Sequence, residues 1–268
     1  MVSEDDLINT VAAAYGAGWR QVKLYFMCGL PTETDEDVLQ IADMARRVIE
    51  TGRQVSGRKD IRCTVSIGGF VPKPHTPFQW CGQLSAEETD ERLKKLKDAI
   101  RSDKKFGSSI GMRYHDGKPG IVEGLLSRGD RRIGSVIEAV WRDGGRFDGW
   151  SEHFSYERWM EQAARVFAEM DDPIDVDWYT TRERGELEVL PWDHLDSGLD
   201  KEWLWDDWQD ALDETEVDDC RWTPCFDCGV CPQMGTDIEI GPTGKNLLPL
   251  TVLGAGKQDM VAPSGQTG

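Results

Sequence analysis

Apolar residues recur with two different periods along the first hundred residues, and these periods predict alternating helices and strands. Helical spacing runs from Leu7 to Ala14, after Ser3 and Asp6, which match a capping box. The run QVKLYFMC, Gln21–Cys28, is short, apolar and rich in strand formers, so it predicts a buried strand.

The next segments repeat this order. Thr34 and Asp37 match a second capping box, before a helix whose apolar face comprises Val38, Ile41, Ala42, Ala45, Val48 and Ile49. The run IRCTVSI, Ile61–Ile67, predicts a second strand, and Ser85 with Glu88 starts a third helix. Helices that alternate with strands are typical of βαβ units, so we expect an α/β fold with a parallel sheet.

The pattern changes after about residue 106. Helices are predicted for Gly120–Leu126, Ile133–Trp141 and Tyr156–Met170, with RGDRR and GGRFDGW between them. The strongly acidic residues 171–219 contain five tryptophans, which we interpret as a solvated helix face with aromatic anchors turned inward rather than as a binding surface. The Gly-, Pro-, Thr- and Ser-rich residues 241–268 predict a flexible tail or linker. The expected divisions are therefore 1–105, 106–219, a cysteine loop at 220–235, and 241–268.

Charge narrows the expected partners and location. Among 268 residues, 31 are Lys or Arg and 49 are Asp or Glu, a net charge of −18. This charge argues against general binding of nucleic acid, which only a local basic patch could support. No apolar run is long enough for a transmembrane helix, so no membrane partner is expected. The N-terminal residues lack the pattern of a signal peptide, and we expect a reducing, cytoplasmic location.

The seven cysteines fall into two groups. Cys28, Cys63 and Cys81 are scattered, which is typical of small buried hydrophobic residues. The others form C-x₄-C-x₂-C-x₂-C, followed by proline, at Cys220, Cys225, Cys228 and Cys231. Clustered cysteines in a reducing compartment indicate metal ligands. A C-x₂-C-x₂-C-Pro run is typical of iron–sulfur loops, whereas four thiolates also suit zinc; both alternatives stay open, as does a loop without metal.

Two segments taken together resemble radical S-adenosylmethionine (SAM) enzymes. KLYFMCGLPTETDEDV, Lys23–Val38, resembles their strand and G-[FL]-P-x-[EQ]-T turn, and SIGGFVPKPHTPFQW, Ser66–Trp80, resembles the F-x-P-x-P-x-T-P loop after their last barrel strand. VEGLLSRGDRR, GGRFDGW and DCRWTPCFDCGVCP extend the likeness over roughly residues 5 to 250. The chain is similar to the C-terminal half of an uncharacterised branch, whose members usually begin with a cobalamin-binding-like domain.

The resemblance implies a fold and a cofactor site. Residues 1–105 would be the C-terminal part of a TIM-like radical SAM barrel, with two recognisable strands, followed by a mostly helical module with a cysteine-rich loop. Met27, Cys28 and Gly29 would lie near the adenine of SAM, with Pro31 shaping the turn. The C-x₃-C-x₂-C ligands of the primary [4Fe–4S] cluster do not precede Lys23. We therefore expect this chain to be a truncated product or the product of a split gene. Its expected partner is the missing N-terminal half of the radical SAM enzyme, on the same or an adjacent polypeptide.

Other side chains have two interpretations each. His75, in the proline-rich loop, is a candidate for substrate contact or acid–base chemistry, or simply a loop histidine bonded to backbone. Glu33 either contacts SAM or caps the next helix. The arginines of RGDRR are Arg128, Arg131 and Arg132. They either bind a phosphate or carboxylate group of a substrate, or they neutralise the acidic C-terminal region.

Three functional hypotheses follow. In the first, the full-length protein cleaves SAM reductively to act on an unknown substrate, with cobalamin as a candidate second cofactor. This chain would supply part of the SAM pocket and an auxiliary iron–sulfur or zinc site. Alone it would be inactive, because it lacks the primary cluster ligands. In the second, the chain is a non-catalytic Cys₄ zinc-binding interaction module. In the third, it is a non-functional piece with exposed sheet edges and poor solubility.

Overall fold

A computed structural model describes residues 3–171 and 174–236. The predicted tail, residues 241–268, lies outside the described residues. The described residues contain three strands: β1 (Gln21–Cys28), β2 (Arg62–Gly69) and β3 (Ile110–Tyr114). The helices are α1 (Glu4–Gly16), α2 (Asp35–Ser56), α3 (Ala86–Ser102), α4 (Gly117–Arg128), α5 (Ile133–Arg142), α6 (Tyr156–Ala168), α7 (Val176–Tyr179), α8 (Lys201–Leu212) and α9 (Val230–Met234).

The strands form one open parallel sheet in the order β1-β2-β3. Leu24 pairs with Val65, and Ser66 pairs with Arg113. The predicted α/β fold with a parallel sheet is confirmed, and the sheet does not close into a barrel within residues 3–171 and 174–236. The expectation of only two strands is wrong. A third strand extends the sheet past residue 105, where the sequence pattern placed the end of the α/β region.

Helices α1, α2 and α3 form a core against one face of the sheet. Each begins with the predicted capping box, at Ser3, Thr34 and Ser85. Alternate residues of β1, including Leu24 and Cys28, are buried under these helices. This core includes Val38, Ala45, Ile49, Ile61, Val65, Leu93, Leu96 and Ile110. The apolar residues that recur at helical or strand spacing in the sequence are therefore the ones buried between the helices and the sheet.

The opposite face of the sheet is open within the described part of the chain. Lys23, Tyr25 and Met27 of β1 are exposed on it. In register beside them lie the small residues Ser66 and Gly68 of β2. Parallel sheets usually have both faces covered, so an uncovered face that carries Lys23 together with the exposed Tyr25 and Met27 is an unusual surface for such a sheet.

A second core lies beyond the sheet. Helices α4, α5, α6 and α7 surround Leu125, Val136, Trp159, Phe167 and Tyr179. The observed bounds of α4, α5 and α6 differ from the predicted helices by only a few residues at their ends. None of the helices in the described ranges is long and apolar enough to cross a bilayer.

The acidic, tryptophan-rich region packs inward, as predicted. Trp192 is buried with Trp80 and Leu204. The Trp80 and Trp205 rings meet edge to face, with centroids 5.0 Å apart. Because Trp80 ends the proline-rich loop after β2, this cluster attaches α8 to the end of the sheet. Trp178 packs instead on the second core.

Candidate functional site at the carboxyl edge of the sheet

The turn after β1 is closed by a buried carboxylate. Gly29 has a φ of 95°, a left-handed conformation that favours glycine. Its N–H donates to Glu33 Oε2 at 2.6 Å, and the same oxygen lies 2.9 Å from Arg92 Nη1. Thr34, rather than Glu33, caps α2. The expectation that Glu33 caps the helix is therefore wrong, because its side chain turns back to hold the turn.

The residues expected near SAM point in different directions. Met27 is 53% exposed on the open face, whereas Cys28 is 1% exposed under the helices. The Cys28 carbonyl accepts the Phe70 N–H at 2.8 Å, which joins the proline-rich loop to β1. Burial, aided by the Glu33 charge, raises the pKa of the Cys28 thiol to about 12. Met27 thus offers an apolar contact surface at the open face, whereas Cys28 is a core thiol. Pro31 lies in the turn that follows them.

His75 connects the proline-rich loop to the acidic region. Its backbone has a φ of 55°, and its N–H donates to Gln79 Oε1 at 3.2 Å. The imidazole Nδ1 lies 3.2 Å from Ser197 Oγ. The ring also borders a cleft with Asp193 and Asp196. His75 therefore has a side-chain partner rather than the backbone partner expected, which positions its ring beside a carboxylate-rich cleft.

The three arginines of RGDRR are not brought together. Arg128, the last residue of α4, is 0% exposed, and its Nε donates to the Tyr179 carbonyl at 3.1 Å. Arg131 is exposed. Arg132 pairs with Asp130 at 2.5 Å. The three side chains therefore do not face one common point in this structure, because the helix ends at Arg128 and the following turn directs each side chain to a different environment.

A different arginine accompanies Arg128. Arg184 is 5% exposed, and its Nη2 donates to the same Tyr179 carbonyl at 2.9 Å. Burial lowers the pKa of Arg184, and the nearby Glu188 charge acts in the opposite direction. Sequence reasoning missed this residue, since 56 positions separate it from Arg128 and only the fold joins them.

A cleft of about 760 Å³ begins where β3 ends. His115 lines it, as do Lys118 and Glu157, which form an ion pair at 2.7 Å. Two lining residues, Asp148 and Trp159, have a buried Oδ1 and a buried Nε1 with no hydrogen-bond partner. The apolar lining includes Pro119, Val122, Leu126 and Phe154. A cleft at this edge offers a ligand an apolar floor beside the ion pair of Lys118 and Glu157.

Sequence reasoning did not identify this cleft. The motif GGRFDGW was the available signal, since it contains Asp148. Phe147 in the same motif has a φ of 58°, and its exposed ring meets that of Trp150 edge to face at 6.0 Å. A non-glycine residue in the left-handed region is a common feature of functional loops.

The four clustered cysteines lie in one surface loop. Cys220 and Cys225 are exposed, and Cys228 and Cys231 are half-buried. Within residues 3–171 and 174–236, no three His, Cys, Asp or Glu side chains converge as a metal-ligand set. The donor chemistry and short spacers nevertheless fit zinc or an iron–sulfur cluster.

One backbone hydrogen bond holds a cysteine of the loop in place. The Asp227 N–H donates to Cys225 Sγ at 3.3 Å. Asp227 and Gly229 both have positive φ, at 58° and 91°, so the chain curls around the sulfur. This contact and the curled backbone fix the position of the Cys225 sulfur within the loop.

The cysteine loop is anchored to the segment that contacts His75. The Asp200 N–H donates to the Cys228 carbonyl at 3.0 Å. Ser197, three residues earlier, is the partner of His75. The loop is therefore held near the proline-rich loop that leaves the carboxyl end of β2.

Comparison with known proteins finds a relative that covers about half of this chain. Over 138 residues, or 51% of this chain, the sequence is 33% identical to "Uncharacterized protein MJ0966" of Methanocaldococcus jannaschii, and the match spans 28% of that protein. No known protein family matches the chain. No solved structure matches it either.

Proposed function

We propose that this chain is the C-terminal portion of a radical SAM iron–sulfur enzyme, in which it supplies one wall of the SAM and substrate site and an auxiliary metal site. The observation that carries the proposal is the asymmetric sheet: its strands are parallel, and among the described residues helices cover one face while Lys23, Tyr25 and Met27 are exposed on the other. In a TIM-like barrel, helices lie outside and the inner face meets cofactor and substrate. Lys23, Ser66 and Arg113 would then face inward.

The carboxyl edge supports the same assignment. Ligands of parallel α/β folds bind where the strands end. Met27, the Gly29–Pro31 turn and the β3 cleft all lie at this edge. Met27 would pack against the adenine, and Glu33 would hold the turn by accepting the Gly29 N–H. The substrate would occupy the cleft of Asp148 and Trp159.

The cysteine loop would hold the auxiliary metal. Cys220, Cys225, Cys228 and Cys231 supply up to four thiolates. A bound iron–sulfur cluster would supply electron transfer or a substrate-binding iron. The role of this chain is to present the thiolates, and the Asp227 N–H and the Asp200 contact hold that loop near the sheet edge.

The experiment combines the purified chain with the polypeptide that carries a C-x₃-C-x₂-C segment upstream of it, under anaerobic reducing conditions with SAM. We expect 5′-deoxyadenosine from the mixture and none from this chain alone. Gly29→Val should abolish the activity, because the β-branched side chain is strained at a φ of 95°. Gly16→Ala, which meets no atom within 4 Å, is the matched control. Cleavage of SAM by this chain alone would contradict the proposal.

A second candidate is a non-catalytic Cys₄ zinc-binding interaction module. It is favoured by the surface position of the loop and by the absence of buried residues in α9. Zinc would then act as a structural staple for a segment without a core of its own. Stoichiometric zinc, with no response to SAM in any mixture, would favour this alternative.

A further inference from the structure

Two cationic side chains and a hydroxyl share a cleft on the open face of the sheet. Lys23 of β1, Ser66 of β2 and Arg113 of β3 line this cleft, whose volume is about 460 Å³. Lys23 pairs with Thr64, and Ser66 pairs with Arg113, so strand alternation directs all three side chains to one face. The two outer strands lie about 10 Å apart, a distance that long lysine and arginine side chains cross from opposite sides.

No carboxylate neutralises these two cations. Neither Lys23 nor Arg113 forms an ion pair among the residues that the structure describes. Lys23 Nζ lies 4.6 Å from the centroid of the Tyr25 ring, which is a weak contact at an exposed position. Acidic residues instead line the neighbouring β3 cleft, namely Asp116, Glu123, Asp148 and Glu157. In a chain of net charge −18, the cleft of Lys23 and Arg113 is therefore a local positive site.

The polar groups of this cleft are accessible to a ligand. Lys23 and Arg113 are exposed, and Ser66 is half-buried. A guanidinium fork matches two oxygens of a phosphate or carboxylate, and a lysine ammonium binds the same groups as a point charge. The serine hydroxyl can donate one further hydrogen bond. The cleft thus presents positive charge and hydrogen-bond donors, which favours an oxyanion.

The positive cleft continues into the β3 cleft. Tyr114 and His115 line both of them. The β3 cleft has the apolar floor described above, whereas the cations lie on the sheet. A ligand whose anionic end binds Lys23 and Arg113 therefore directs its apolar part past His115.

We infer that Lys23, Ser66 and Arg113 bind a phosphate or carboxylate group of the substrate, whose apolar part occupies the β3 cleft. The inference rests on the proposed function, which turns this face of the sheet towards the substrate. It adds the chemical class of that substrate, an anion with an apolar body. The three residues lie on the sheet and are distinct from the arginines of RGDRR.

The experiment measures the binding of small anions to the whole chain. Amide chemical shifts of the isotope-labelled protein are followed during titration with phenyl phosphate and with benzoate at constant ionic strength. Benzyl alcohol, which has the same ring without the charge, is the control ligand. We expect saturable shifts in β2 and β3 with an anion and none with benzyl alcohol. Tighter binding of phenyl phosphate assigns a phosphate group, and tighter binding of benzoate assigns a carboxylate.

Variants separate the site from general attraction of anions. Lys23→Gln and Arg113→Gln each remove one charge at an exposed position, so both variants should fold. Each should bind the preferred anion about tenfold more weakly, because one charged hydrogen-bond donor is lost. Lys59→Gln and Arg101→Gln, at exposed residues outside the cleft, are the matched controls and should bind as the wild type does.

Three results would overturn the inference. The first is the absence of saturable shifts with either anion, and the second is equal binding by the wild type and all four variants. The third is displacement of the anion by SAM, because the cleft would then hold the carboxylate of the cofactor. Formation of 5′-deoxyadenosine by the assembled enzyme is a separate measurement. Its failure while the anion still binds would refute the proposed function, whereas SAM cleavage without anion binding would refute only this inference.

Discussion

The sheet and the cysteine loop use the same amino acid in opposite environments. Cys28, Cys63 and Cys81 are buried, and burial raises the pKa of each thiol to about 12. The four cysteines of the loop are exposed or half-buried on a segment whose helix, α9, buries no residue. Core cysteines act as small hydrophobic residues, whereas the cysteines grouped in a surface loop contribute no packing and are candidates for metal binding.

The two regions also differ in what stabilises them. The sheet region has a continuous apolar core under three helices. The loop relies on a few hydrogen bonds, including that between Asp200 and Cys228. A segment without apolar burial needs another source of order, and a metal bound by four thiolates provides one.

The largest expected difference is in thiol reactivity. A pKa of about 12 leaves each core thiol with roughly a thousandth of the thiolate of an ordinary cysteine at pH 8. The raised pKa keeps the neutral form until the pH approaches 12, and burial also blocks the reagent. Mass spectrometry after brief alkylation of metal-free protein should find modification at the four loop cysteines and none at the other three. Equal modification of all seven would contradict the comparison.

The next effect is on the free energy of unfolding. Leu96 is fully buried in the first core, so Leu96→Ala should destabilise the protein by about 2–5 kcal/mol. Val217, an exposed residue just before the cysteine loop, provides the control. Val217→Ala should change the stability by less than about 0.5 kcal/mol. Urea denaturation measures both, and similar losses would show that the two regions are not as different as proposed.

A smaller effect is expected at the turn after β1. Glu33→Ala removes the partner of the Gly29 N–H and leaves Arg92 without its close carboxylate. We expect a loss of about 2 kcal/mol in stability. Glu36, exposed in the first turn of α2, is the matched control, and Glu36→Ala should cost only about 0.5 kcal/mol. A loss at Glu36 as large as that at Glu33 would refute the role of Glu33 in the turn.

The smallest effect concerns a helix cap. The Ser85 side chain accepts the Glu88 N–H at 3.2 Å and begins α3. Ser85→Ala should destabilise the protein by about 1 kcal/mol. Ser102→Ala, at the exposed end of the same helix, should be close to neutral. Thermal unfolding compares the two serines, and identical Tm values would contradict the capping box.

Local periodicity predicted much of the fold. The bounds of β1 and the capping boxes at Ser3, Thr34 and Ser85 are confirmed, because each depends on neighbours in sequence. Strand β3 was missed because it is short, and Gly111 and Arg113 face outward, so no apolar run marks it.

The candidate site was harder to predict. Arg128 lies beside Arg184 rather than Arg131, since the end of α4 and the position of α7 decide which guanidinium groups meet. The cleft at Asp148 and Trp159 likewise depends on how α6 packs against α4. Such juxtapositions join distant segments, and sequence spacing does not contain them.

The metal content of the cysteine loop tests the central claim most directly. Protein purified without oxygen is analysed for iron, sulfide and zinc, with a visible spectrum, beside a variant with Cys225, Cys228 and Cys231 changed to alanine and a control with Cys81→Ala. The account predicts iron and sulfide with a broad band near roughly 400 nm, lost in the triple variant and kept in the control. About one zinc per chain without colour would support the interaction module instead. No metal in the wild-type chain, or equal metal in the triple variant, would contradict the claim.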